Sequence, residues 1–255
     1  MALLDMKSSN PALGEKTFKE LSYSYDKSSA MTARGTMLKL GFMLILMLAS
    51  AFYTWHAFYN NTANIQAFIW GGAIGGFVIA LVLIFKKEWS PFLAPLYALL
   101  EGLFIGGISA TYNFVFAASM PNIITNAVGL TASVAIAMFL LYNFRIIKAT
   151  EKFKSIIITA TAGIAIFYLI VMVLRLFNVP VAFMHDSSML GIGISLFIVA
   201  IAALNLILDF DFIEKGEQMG APKYMEWYGA FGLMVTLVWL YLEILRLLSR
   251  FASNK

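Results

Sequence analysis

Cysteine is absent from this 255-residue chain, and histidine occurs only twice. The first absence excludes a disulfide framework and thiolate metal sites. The two histidines, His56 and His185, stand far apart in the sequence and form no metal-ligand spacing. Charge is scarce as well. Only 13% of residues are Asp, Glu, Lys or Arg, about half the usual share of a soluble domain. No P-loop, zinc motif or nucleophile elbow occurs, and the glycine-bearing motif of intramembrane aspartyl proteases is missing, so no enzyme is expected and no cofactor. The net charge of +4 is not gathered into a basic stripe interleaved with aromatics, which argues against a nucleic-acid partner. What is present is apolar: 61% hydrophobic residues and a mean hydropathy of +0.82. Runs of roughly 20 apolar residues are what a bilayer core requires. The expected fold class is therefore all-α, a polytopic membrane protein with seven transmembrane helices.

No hydrophilic stretch is long enough for a second folded domain. A polar tail, residues 1–36, carries Asp5, Glu15, Glu20 and Asp26 and has no secretory-signal pattern. The membrane domain is expected over residues 37–255, with spans near 37–59, 65–85, 91–117, 122–147, 155–177, 189–213 and 227–248. The connections alternate in charge. The tail, the turn with Lys86 and Lys87, the turn with Lys148, Lys152 and Lys154, and the turn with Lys215 and Lys223 are rich in lysine. The intervening turns carry almost none. The positive-inside rule then places the N-terminus in the cytoplasm. Seven spans from that start leave Arg246, Arg250 and Lys255 on the far side, against the rule. A re-entrant last segment, broken near Gly229 and Gly232, is the alternative to the favoured full span. Small-residue spacing marks close helix contacts in span two (Gly71, Gly72, Gly75, Gly76) and span three (Gly102, Gly106).

Ionisable residues inside spans are costly, about 2.5–3.5 kcal/mol each at mid-bilayer on insertion scales, and so mark partners or water-filled paths. Four acids qualify: Glu101, Asp209, Asp211 and Glu243. Glu101 has no basic residue in its own span, so it is either protonated or paired with Arg175, Arg246 or Arg145 on another helix. Asp209 and Asp211 stand at the expected end of span six, either as a polar helix end marking the interface or, since residues two apart point to different sides, with Asp209 toward the bundle and Asp211 toward water. Glu243 either pairs with Arg246 three residues on or faces Asp209 across the bundle.

Four stretches together resemble the Bax-inhibitor family in its YccA-like bacterial branch: residues 9–18 of the tail, 97–106 with Leu-Glu-Gly, 205–213 with its two aspartates, and 240–246 with Leu-Tyr-Leu-Glu. The resemblance implies six helices around a central seventh. It implies a pH-sensitive, calcium-permeable leak of the bacterial inner membrane, with a pair of acids on the last two helices as sensor and gate. On this chain that pair is Asp209 and Glu243, which would also form a weak calcium site. Glu101 corresponds to the family's third-span acid. The chain departs from the family in having Glu rather than Asp in the last helix. The two acids are expected to share a proton near neutral pH. Another implied function is regulatory: binding and modulating a membrane-bound protease through the cytoplasmic tail.

Overall fold

Inside lipid every backbone N–H and C=O must find an internal partner, so a chain of long apolar runs has to become helices. The computed structural model describes residues 30–61, 64–177 and 188–253. Among them are seven helices long and apolar enough to cross a membrane. They are α1 (Ala33–Asn60), α2 (Ile65–Phe85), α3 (Ser90–Val115), α4 (Ile123–Asn143), α5 (Glu151–Leu176), α6 (Met189–Gln218) and α7 (Met225–Ser253). A single 3-10 turn, Lys87–Trp89, joins α2 to α3.

The helix ends follow local chemistry. Thr32 is extended and its side chain accepts from the Gly35 N–H at 2.9 Å, capping α1. Asn64 caps α2 in the same way through Ala67. Asn61 closes α1 in the left-handed region, at φ 50°, a conformation asparagine tolerates better than most residues. The helices run past several of the hydropathy boundaries. α1 starts at Ala33 rather than 37, and α6 continues to Gln218 rather than 213. Asp209 and Asp211 therefore lie within α6, not at its end. α7 is unbroken through Gly229 and Gly232, so the last segment is a full-length helix and not a re-entrant one.

Two units share α6 and α7. The described part of the first comprises residues 30–115 (62 and 63 excepted) and Asp211–Val235. Its packing depends on glycine. A Cβ on Gly72 would sit 2.5 Å from the Leu100 carbonyl oxygen and 2.8 Å from the Phe104 nitrogen. Cβ atoms on Gly102 and Gly106 would collide with the α1 backbone at Met47 and Ala51. Thus α2 and α1 both approach α3 backbone to backbone. Gly75 meets only the mobile tip of Leu100 at 3.0 Å, and Gly71 meets nothing within 4 Å. The spacing motif identified the close contacts at Gly72, Gly102 and Gly106, but Gly71 and Gly75 are not backbone contacts. Gly72→Leu should cost roughly 1–3 kcal/mol, the usual range for overpacking a tight contact, whereas Gly71→Leu should leave stability unchanged. Thermal unfolding of both variants in detergent checks the contrast.

The second unit comprises residues 116–210, apart from 178–187, and 236–253. Its core joins α5 and α6 through Ile157, Ile164, Ile198, Ile201 and Leu208, with Trp239 of α7 packed against it. Phe210 meets Phe139 edge-on at 5.5 Å, bringing α4 into the same core. α6 and α7 are the most buried of the seven helices, with 56% and 61% of their apolar windows buried against 11% for α1. Large apolar side chains elsewhere face outward, among them Phe52, Phe77, Phe92 and Ile166. So much exposed apolar surface suits lipid rather than water.

Candidate functional site: buried carboxylates of the membrane helices

Within the second unit, α6 carries Asp209 at 1% exposure. The Thr236 hydroxyl of α7 donates to its Oδ2 at 2.5 Å. One turn earlier on α6, Asn205 donates from its amide to Thr161 of α5 at 2.9 Å and to the Ile201 carbonyl. A polar seam thus crosses α5, α6 and α7 where apolar side chains would otherwise meet. Such groups are found in hydrocarbon only when they are satisfied across helices.

Glu243 is 2% exposed and occupies a second level of the same unit. Arg246 Nη1 donates to both its oxygens at 2.9 Å. The Tyr168 hydroxyl of α5 donates to Oε1 at 2.8 Å. Arg246 also donates to that hydroxyl, and its guanidinium carbon lies 5.1 Å from the centre of the Tyr168 ring. Of the two expectations for Glu243, pairing with Arg246 is the one realised. A carboxyl–carboxylate hydrogen bond between Asp209 and Glu243 is not. Thr236 and Glu243 are seven residues apart, about 10 Å along the helix.

In the first unit, Glu101 of α3 interacts with the Tyr97 phenol one turn earlier. Gly76 of α2 leaves room for it: a Cβ there would lie 3.0 Å from Glu101 Oε2. Among the described residues of this unit no arginine is paired with Glu101, and the side chain of Arg175 lies outside them. A phenol on the same helix face satisfies a carboxyl without bringing a second charge into lipid. Asp211 is half-buried and pairs with Lys215 at 2.9 Å along α6. Its side chain is only 15% exposed, so it does not stand open to solvent. Arg145 lies in the turn after α4 at φ 57°, exposed, over the Tyr142 ring. The side chain of Arg175 and all of His185 lie outside the described residues. Among the described residues no group of three or more His, Asp or Glu is assembled for a metal ion.

A heavily bonded carboxylate had no place among the sequence candidates. Glu226, in the first turn of α7, is fully buried. It accepts from the Thr32 N–H and hydroxyl at 2.9 Å each, from Lys223 at 2.8 Å and from Lys39. Around it the entry to α1 is tied to the α6–α7 connection. Met31 N donates to the Ala221 carbonyl at 2.7 Å, and the Ser90 hydroxyl to the Tyr224 carbonyl at 2.9 Å. Burial and the nearby Glu88 carboxylate raise the Tyr224 phenol above its ordinary value. Three lysine-bearing connections therefore meet at one end of this unit. Hydropathy could not reveal Glu226, because it falls at a span boundary where acids are common.

Seven apolar helices, with carboxylates buried singly among hydroxyls and cations, define a polytopic integral membrane protein. The family described as Bax inhibitor 1 like matches residues 10–253, and the chain belongs to that family. No curated protein and no solved structure matches it.

Proposed function

We propose that this protein is a pH-sensitive, calcium-permeable leak of the membrane it spans. The observation that supports this best is Asp209, a carboxyl sealed inside α6 that accepts a short hydrogen bond from Thr236 of α7. Protonated, Asp209 is neutral and the α6–α7 contact is stable in a dry interior. Ionised, it requires water or a cation, and the contact loosens. Flux therefore rises with pH. Calcium prefers six to eight oxygen ligands. One carboxylate with hydroxyls, carbonyls and water is a weak site, which suits passage rather than storage. Glu243 is the second station of the path, with Arg246 as the cation that calcium replaces there. Asp211 and Glu101 are the remaining candidate acids, each to be tested by itself. The gate works through two acids at two levels, not through a shared proton.

A second reading, regulation of a membrane-bound protease through the tail, draws on the ties at Met31 and Thr32. They would transmit a pull on the tail to α7. Calcium entry into proteoliposomes separates the two. Entry that survives removal of residues 2–29 supports the leak, and absence of entry in both forms supports the regulator. A bacterial inner-membrane location with a cytoplasmic N-terminus completes the proposal. A cysteine introduced at Asn61 should label from outside and one at Lys87 from inside, cleanly so in a chain with no native cysteine. The opposite pattern would reverse the orientation.

A further inference from the structure

Asn205 has no part in the proposed leak, yet it is built into the same seam as Asp209. Its amide nitrogen donates to the Ile201 carbonyl at 2.8 Å and to the Thr161 hydroxyl of α5 at 2.9 Å. A backbone carbonyl can only accept, so the first bond fixes which end of the amide is nitrogen. The nitrogen faces the preceding turn of α6. The amide oxygen is left toward the following turn, where Asp209 stands four residues on, on the same helix face. Thr236 of α7 donates to Asp209 Oδ2, and a hydroxyl that donates keeps oxygen lone pairs that accept. Asn205, Asp209 and Thr236 are 5%, 1% and 4% exposed. One turn of α6 thus gathers a carboxylate, an amide oxygen and hydroxyls from α5 and α7 in a dry interior.

Charge decides which cation such oxygens hold. Side chains four apart on a helix have Cβ atoms about 5–6 Å apart. The oxygens around calcium lie about 2.3–2.6 Å from the ion, so two on opposite sides of it stand about 5 Å apart. Sodium has nearly the same radius, and size therefore admits both ions. The oxygens carry one negative charge, that of Asp209, and the others are neutral. Sodium cancels it. Calcium leaves one positive charge uncompensated, which is costly away from water. Two cations of the unit have acids of their own, Arg246 with Glu243 at 2.9 Å and Lys154 with Glu151 at 3.3 Å.

We propose that Asp209, Asn205 and Thr236 form a binding site for a monovalent metal cation, sodium by its size, in which Asn205 supplies the neutral oxygen that sets the site's charge. From the leak reading the site takes only that Asp209 ionises, and it needs no conduction.

The test is thermal unfolding of the full-length protein in detergent at one alkaline pH, in sodium, choline or calcium chloride at equal ionic strength. Sodium at about ten times its dissociation constant should raise the wild type's melting temperature by about 3–6 °C over choline. Calcium should raise it less. Asp209→Asn, which keeps an acceptor for Thr236, should lose the sodium shift. Asn205→Asp adds a second negative charge and should reverse the order, with calcium stabilising more than sodium. Lys86→Gln, at an exposed basic residue of the other unit, should behave as the wild type. Equal melting temperatures in sodium and choline would overturn the proposal. So would a sodium shift that survives Asp209→Asn, or an order that Asn205→Asp leaves unchanged. Should Asn205→Asp fail to fold, Asp209→Asn decides. Calcium entry into liposomes is read separately, so the site and the leak stand or fall independently.

Discussion

Replacing Asp209 by asparagine should abolish the pH dependence of calcium entry while leaving the protein folded. The amide keeps an oxygen where Thr236 donates at 2.5 Å, so the α6–α7 bond persists, but the group no longer titrates. Flux then becomes flat across pH, fixed near the wild type's low-pH value. Glu243→Gln should behave differently. It strips the countercharge from Arg246, whose side chain is only 32% exposed, and so lowers stability first. Residues that act on different partners at separated positions combine additively. The double variant should show the flat profile of one and the lowered stability of the other. Calcium flux across a pH series, with thermal unfolding measured in parallel, checks this. Identical pH profiles for the two single variants would restore a shared-proton pair.

The largest loss of stability is expected at Glu226. Truncation to alanine removes the acceptor for two Thr32 donors and two ammonium groups at once. Breaking a buried ion pair from one side costs about 3–5 kcal/mol. Lys223 is half exposed and can turn to water, while Lys39 at 20% exposure can do so less easily. The expected loss is therefore near the low end, about 3 kcal/mol. Glu226→Gln keeps an acceptor for Thr32 and should lose less. Gly35→Ala should resemble the truncation, because its Cβ would overlap the Glu226 carboxylate. Denaturation in mild detergent ranks the three variants. If Glu226→Ala unfolds like the wild type, the tie between α1 and α7 carries no stability.

The seven spans were legible because lipid imposes one strong rule, a long apolar run, and each run here obeys it. The acids were legible for the complementary reason, that a carboxylate inside such a run stands out. Their partners were not. Glu243 and Arg246 are three apart, and local spacing sufficed. The Tyr97 phenol beside Glu101 was not noticed, because it carries no charge to attract notice. Thr236 gave no signal at all: threonine is ordinary in membrane helices, and only packing places it against Asp209. The Glu226 network was hidden by sequence distance, since Thr32 and Lys39 lie 194 and 187 residues away. The helix ends were misjudged where charged residues continue a helix beyond the hydrocarbon. Hydropathy stops at the charge, but the backbone hydrogen bonds do not.

The most direct measurement is calcium entry into sealed liposomes containing the purified wild-type protein, against protein-free liposomes, as external pH is stepped upward. The account predicts entry above the protein-free level that increases with each step. Entry no greater than in protein-free liposomes at every pH would contradict it.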